Sequence, residues 1–203
     1  MKIICFGDSN TYGYDPRSFF GDRYGAENRW VDILERMIGC ELINSGENGR
    51  EIPALERELI YFDGFLSACQ PVNLLIIMLG TNDLLQGYPV ETVAERMECF
   101  LRRIDLQPDR ILLIAPPTMK LGEWVPSRSL IRASEEMAMV YKALAERLGT
   151  GFADAGKWSV GLAFDGVHFT VEGHRVFAKE LCRYLIEEKK IEKAVSGCAD
   201  SAF

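Results

Sequence analysis

The run Val72-Asn73-Leu74-Leu75-Ile76-Ile77-Met78-Leu79 restricts the fold more than any other stretch. It has no alternating polar side to offer water, and it is too short for a typical helix. Such a run reads as a strand buried on both faces, and strands of that kind sit inside parallel sheets with helices above and below. Lys2 to Phe6 and Arg110 to Ala115 share its character, while Glu41 to Asn44 and Gly151 to Ala153 are shorter versions. Between them the apolar residues recur at helical spacing. Asn28 is placed to cap a helix carrying Trp30, Ile33, Leu34, Met37 and Ile38, which Gly39 closes. Pro53 stands in the first turn of a helix to about Ala68, and Pro89 opens another reaching Ile104. A longer helix carries Leu130, Met137, Tyr141, Leu144 and Leu148, and the last runs from Glu172 to Glu188. Strand and helix alternate five times, at spacings suited to right-handed crossovers. The expectation is one three-layer α/β/α sandwich with a five-stranded parallel sheet, spanning residues 1–203 as a single domain. The tail from about Glu192 has little periodicity and is expected to be loosely ordered.

Composition narrows the function classes without choosing among them. At 203 residues, 48% hydrophobic and 26% charged, the chain has the make-up of an ordinary globular domain. A net charge of -7 argues against nucleic acid or an anionic membrane as a partner. No apolar run approaches the ~20 residues of a membrane span, and Lys2 leads straight into a strand with no leader pattern, so a cytoplasmic location is expected. The six cysteines (Cys5, Cys40, Cys69, Cys99, Cys182, Cys198) are scattered, with no CxxC pair, and read as reduced and mostly buried thiols. With only His168 and His174 available, a Cys/His zinc site is not expected, and no cofactor is implied.

In open parallel sheets ligands and reactive side chains collect at the carboxyl ends of the strands. Gly7-Asp8-Ser9-Asn10 follows the first strand, and Ser45-Gly46-Glu47-Asn48-Gly49-Arg50 follows the second. Gly80-Thr81-Asn82-Asp83 follows the central strand, and Asp165-Gly166-Val167-His168 lies in an irregular stretch, Lys157 to Phe169, before the last helix. Each segment alone is accounted for by turn and capping chemistry. Together they hold a hydroxyl, glycine turns that can present N–H groups, an amide, and a carboxylate three residues before an imidazole. Those are the parts of nucleophilic acyl transfer with an oxyanion site. His174 falls inside the final helix, where a packing or hydrogen-bonding role is expected. Tyr14, Phe20 and Trp124 are candidate walls of a pocket or interface.

Gly7-Asp8-Ser9 resembles the first block of the GDSL, or SGNH, hydrolases. Asn44 to Gly49 resembles the second block, Gly80 to Asp83 the third, and Asp165 to His168 the last, in the same order along nearly the whole chain. The resemblance implies a flavodoxin-like topology and a serine esterase acting on short, acetyl-like esters, with transfer to an alcohol where the pocket excludes water. It implies Ser9 as nucleophile, His168 as base and Asp165 as its orienting carboxylate. The oxyanion donors would be the Ser9 N–H, the Gly49 N–H and the Asn82 side chain, Gly49 being preferred to Gly46 because it lies five residues after Asn44. Asp8, Asn10 and Trp124 are expected near the substrate. The family's usual leucine after the serine is Asn10 here, as in an arylesterase and acyltransferase subgroup that also shows a pair like Arg29-Trp30 and tends to form homo-oligomers. The nucleophile elbow of the α/β-hydrolases is absent, since GxSxG would need glycine at Thr11. Two competing readings differ in class. A Mg²⁺-dependent phosphatase would use Asp8 as nucleophile but lacks the second aspartate of DxDx[TV], where Asn10 stands. A flavodoxin-like binding module would need a phosphate-cradling glycine loop, and none follows any strand.

Overall fold

The structure, a computed structural model, describes residues 1–18, 20–188 and 190–191. Its strands are Lys2–Gly7 (β1), Glu41–Gly46 (β2), Leu74–Met78 (β3), Ile111–Ala115 (β4) and Gly151–Asp154 (β5). All neighbours pair in parallel, in the order β2-β1-β3-β4-β5. This is the flavodoxin-like arrangement. The chain winds outward from β1 to β2, then returns to the other side of β1 for β3, β4 and β5. A crevice therefore opens at the carboxyl ends of β1 and β3, where the winding reverses.

The helices are Ser9–Tyr12 (α1), Trp30–Ile38 (α2), Glu56–Ala68 (α3), Thr81–Leu85 (α4), Val90–Arg103 (α5), Arg128–Leu148 (α6) and Val171–Glu187 (α7). Strand alternation sends side chains to two faces. Ile4, Phe6, Leu75, Ile77 and Leu113 pack with Phe62 of α3, Phe100 of α5 and Tyr141 of α6. Ile3, Cys5, Leu74, Ile76 and Ile114 pack with Trp30 and Leu34 of α2 and Phe177 and Leu181 of α7. β3 is buried along its whole length, as its apolar run requires.

Several boundaries differ from expectation for identifiable reasons. Asn28 ends a short 3-10 turn and does not cap α2; Arg29 holds that position and grips Asp32 through two bonds of 2.7 Å. Pro53 precedes α3, which begins only at Glu56. The backbone around it is already held elsewhere, the Ile52 N–H by Asp83 and the Ile52 carbonyl by Arg96, while the Glu58 side chain takes the Ala54 and Leu55 N–H groups. β2 continues to Gly46 because Ser45 and Gly46 keep register with Phe6 and Gly7. β3 starts at Leu74, since the Val72 N–H is taken by the Gln70 side chain. A 3-10 turn at Pro108–Arg110 delays β4 to Ile111. Cys5 and Cys182 are buried, whereas Cys40 and Cys69 are half-buried and Cys99 is exposed, so the expectation of mostly buried thiols is too broad. The tail expected to be loose, with Cys198, lies outside the described residues. No helix of the described residues is long and apolar enough to cross a membrane.

Candidate active site

Gly7 ends β1 under steric compulsion. A Cβ there would stand 2.1 Å from Thr11 Oγ1 and 2.9 Å from the Met78 carbonyl. The chain turns at Asp8, whose Oδ1 accepts the Asn10 N–H at 2.9 Å and so caps the single turn of α1. Ser9 is the first residue of that turn, at the crevice between β1 and β3, and is 6% exposed.

Ser9 Oγ lies 3.0 Å from His168 Nε2, and His168 Nδ1 lies 2.8 Å from Asp165 Oδ2. The second carboxylate oxygen of Asp165 accepts the Val167 and His168 N–H groups at 2.8 and 2.9 Å. Burial pushes this carboxyl up, but the His168 ring and these two amides outweigh it and hold Asp165 below the usual carboxylate range. An ionised Asp165 makes the Nδ1–H tautomer of His168 the favoured one and leaves Nε2 free to accept the serine proton. The imidazole is 1% exposed. The Tyr14 ring packs at 4.6 Å and the Trp124 edge at 4.7 Å, centroid to centroid. Trp124 is itself 45% exposed and forms a lip over the site. Its loop is laced to the Asp165 loop by Lys120 N–H to the Gly166 carbonyl at 3.0 Å and Trp124 N–H to the Asp165 carbonyl at 3.0 Å. Phe20, the third expected wall, is 87% exposed.

The two glycines considered for the oxyanion separate cleanly. Gly46 donates its N–H to Asn44 Oδ1 at 3.0 Å and packs against α1, where a Cβ would strike Tyr12 N at 2.0 Å. Gly49 has φ of +73°, open space where a Cβ would stand, and no acceptor for its N–H among the described residues. Asn82, half-buried in the first turn of α4, donates one Nδ2–H to the Arg50 carbonyl at 2.9 Å, which ties it to the Gly49 loop. Its second Nδ2–H is not used by that bond.

Asp8 and Asn10, expected near substrate, turn into the protein and are 2% and 4% exposed. Burial raises the Asp8 carboxyl to about 6, against the opposing pull of the Asn10 N–H, His168 and Arg50. The sequence reading missed three features of the floor. Arg50 bonds the carbonyls of Gly7 and Ser45 and lies 4.2 Å over the Phe6 ring. Asp83, wholly buried, pairs with Arg96 at 2.9 Å, and its carboxyl is raised to about 6, chiefly by burial. A groove of about 1000 Å³ opens beside Gly49 and runs along Arg50, Arg57, Tyr61, Tyr88 and Arg96. The first and third were beyond sequence patterns, because an arginine in a turn and scattered tyrosines carry no spacing signal. The Asp83–Arg96 pair was half legible, since Asp83 ends the Gly80 to Asp83 block. Among the described residues no group of three His, Cys, Asp or Glu side chains is placed to hold a metal ion.

The sequence from residue 5 to 176 matches the profile of the GDSL-like lipase/acylhydrolase family. The chain belongs to that family. It is a carboxylic ester hydrolase of the GDSL, or SGNH, type. The aryl esterase of M. smegmatis is 26% identical in sequence and superposes with a TM-score of 0.78, over 92% of this chain and 98% of that one. A carbohydrate acetylesterase family member from Sinorhizobium meliloti is 25% identical, with a TM-score of 0.74 over 92% and 98% of the two chains. Est24, a carbohydrate acetylesterase from the same organism, shares the fold with a TM-score of 0.77 at 24% identity, over 92% and 98%. No curated protein matches the sequence.

Proposed function

We propose that this GDSL hydrolase cleaves short-chain esters through an acyl-enzyme on Ser9. The observation that carries the reading is the line from Ser9 Oγ through His168 to Asp165, with contacts of 3.0 and 2.8 Å. His168 Nε2 takes the hydroxyl proton as Oγ attacks the ester carbonyl, and Asp165 stays ionised and stabilises the imidazolium. The tetrahedral oxyanion is received by the N–H groups of Ser9 and Gly49 and the spare amide hydrogen of Asn82. Collapse breaks the C–O bond to the alcohol, which leaves with the proton held on Nε2. Water then attacks the acyl-enzyme along the same path and restores Ser9 and the acid. The Tyr14 and Trp124 rings stand against His168, and their position beside the base supports a short, acetyl-like acyl group as the one accepted. The groove that opens beside Gly49, with Tyr61 and Tyr88 in its wall, supports a reading in which the alcohol part extends along it. The similarity to an aryl esterase and a carbohydrate acetylesterase makes aryl and sugar acetates the first substrates to try.

The test is p-nitrophenyl acetate turnover by the parent and Ser9→Ala, each with and without EDTA. Ser9→Ala is expected to lose at least about 10³-fold in kcat, and EDTA to change nothing. Equal rates in the two proteins refute the serine mechanism. Loss with EDTA in the parent revives the Asp8 phosphatase-type site. A panel varying acyl length and alcohol then assigns the two halves of the pocket.

A further inference from the structure

Asn10 follows Ser9 in the chain, yet its side chain reaches across the site to the loop that carries His168. Its Nδ2 donates to the Val167 carbonyl at 3.1 Å, and its Oδ1 accepts the Phe169 N–H at 2.9 Å. The amide thus holds the peptide groups on either side of His168. Asn10 is held in turn, because its own carbonyl accepts the Trp30 indole N–H at 3.0 Å. The Trp30 backbone N–H donates to Nδ1 of the buried His174 at 3.3 Å, so the anchor continues into the α2–α7 layer.

The other bonds on the His168 segment are local or run to the Trp124 loop, Lys120 N–H to the Gly166 carbonyl and Trp124 N–H to the Asp165 carbonyl, and to Tyr24, whose hydroxyl stands 3.5 Å from the Phe169 carbonyl. Asp165 takes the Val167 and His168 N–H groups, and the His168 carbonyl accepts the Ala163 N–H at 2.7 Å. These shape the loop and tie it to its neighbours, but none of them reaches α1, where Ser9 stands. Among the described residues, the two Asn10 bonds are the hydrogen bonds that join α1 to residues 167–169, apart from the Ser9–His168 contact itself. We propose that Asn10 is the positioning residue that sets the Ser9–His168 distance. A leucine there, as in the family's usual pattern, has similar volume and no means of pairing either peptide group. The inference rests on Ser9 and His168 being nucleophile and base, and the experiment tests that premise separately.

Steady-state turnover of p-nitrophenyl acetate is measured for the parent, Asn10→Leu, His168→Ala and the double variant, with circular dichroism and thermal unfolding as fold controls. Misplacing a reacting pair by about 1 Å costs on the order of 10²-fold, so Asn10→Leu is expected to lower kcat about tenfold to a hundredfold, with KM changed less than about twofold. In the His168→Ala background the same substitution is expected to cost nothing further, because there is no base left to position. Phosphonylation of Ser9 by a p-nitrophenyl phosphonate slows in step with kcat. Unchanged kcat in folded Asn10→Leu, an effect confined to KM, or a loss that persists undiminished without His168 overturns the proposal. Full activity of His168→Ala overturns the premise and the proposal together, and is recognised by that variant alone. If Asn10→Leu fails to fold, Asn10→Ser takes its place in the same cycle.

Discussion

Replacing Asp8 with asparagine retains the side-chain oxygen that accepts the Asn10 N–H at 2.9 Å and removes one buried negative charge. Burial lifts this carboxyl from an ordinary 3.8 to about 6 in the folded protein. Its folded value lies above its unfolded one, so the folded chain binds the proton more tightly and gains stability as pH falls. That gain is complete below about 4 and is lost as pH rises through about 6. The rise from 3.8 to about 6 corresponds to ~3 kcal/mol at roughly 1.36 kcal/mol per pH unit. Asparagine imitates the protonated carboxyl, so Asp8→Asn is expected to exceed the parent in stability by up to ~3 kcal/mol at pH 8. The gap should close between pH 6 and 4. Urea unfolding followed by tryptophan fluorescence at several pH values measures it, and the quantity to compare is the difference between the two proteins. The parent's own curve is less informative, because burial holds His174 at about 3 and that group acts in the opposite sense over an overlapping window. A variant less stable than the parent at pH 8, or a difference that does not change with pH, refutes the assignment of this cost to a buried charge. If the variant is more stable but slower on ester, the charge is maintained for activity at the expense of stability.

His174 has an ordinary value of 6.5 and a folded value of about 3, so its contribution is present above 6.5 and lost as pH falls toward 3. His174→Phe should flatten that acid limb in a stability–pH titration, while costing about 1–3 kcal/mol at pH 7 for the Trp30 N–H left without an acceptor. Arg96→Met strands the Asp83 carboxylate and should destabilise the protein by about 3–5 kcal/mol at pH 7. Part of that loss should return at pH 5, where Asp83 takes up a proton, and urea midpoints at the two pH values show whether it does. Trp124→Ala removes the ring edge at 4.7 Å from His168 from a half-exposed lip. It should leave the melting temperature nearly unchanged and lower kcat/KM for p-nitrophenyl acetate about twofold to tenfold, in line with about 0.5–1.5 kcal/mol for one aromatic contact. A large fall in melting temperature with normal kinetics would make Trp124 a packing residue.

The parallel sheet was legible because apolar runs such as Leu74 to Met78 and Ile111 to Ala115 have one physical use, burial on both faces. The helices were legible from their stripes, though their starts were not. Pro53 looks like an N-terminal residue of a helix by local preference, but Asp83 and Arg96, distant in sequence, hold its neighbour Ile52, and Glu58 takes the Ala54 and Leu55 N–H groups. The meeting of Ser9, His168 and Asp165 was anticipated from residue types gathered at the sheet's carboxyl edge, whereas the choice of Gly49 over Gly46 came from the family resemblance. Among the described residues the Gly46 N–H is engaged by Asn44 and the Gly49 N–H has no acceptor. Asp8 and Asn10 were expected near substrate from their place beside Ser9, and their hydrogen bonds, Asp8 to the Asn10 N–H and Asn10 to Val167 and Phe169, could not be read from that place.

Read by itself, the amino-acid order determined the layers, the parallel sheet and the set of groups that gather at its carboxyl edge. Those properties follow from short-range rules, the period of two along a strand and the breaking of strands at glycine and proline. Tertiary structure decided which groups meet and what each polar side chain does. Asn10 and Phe169 are far apart along the chain, and no local preference encodes a 2.9 Å bond between them. That bond exists because the winding reverses at β1, and the returning segment after β5 comes to rest beside α1.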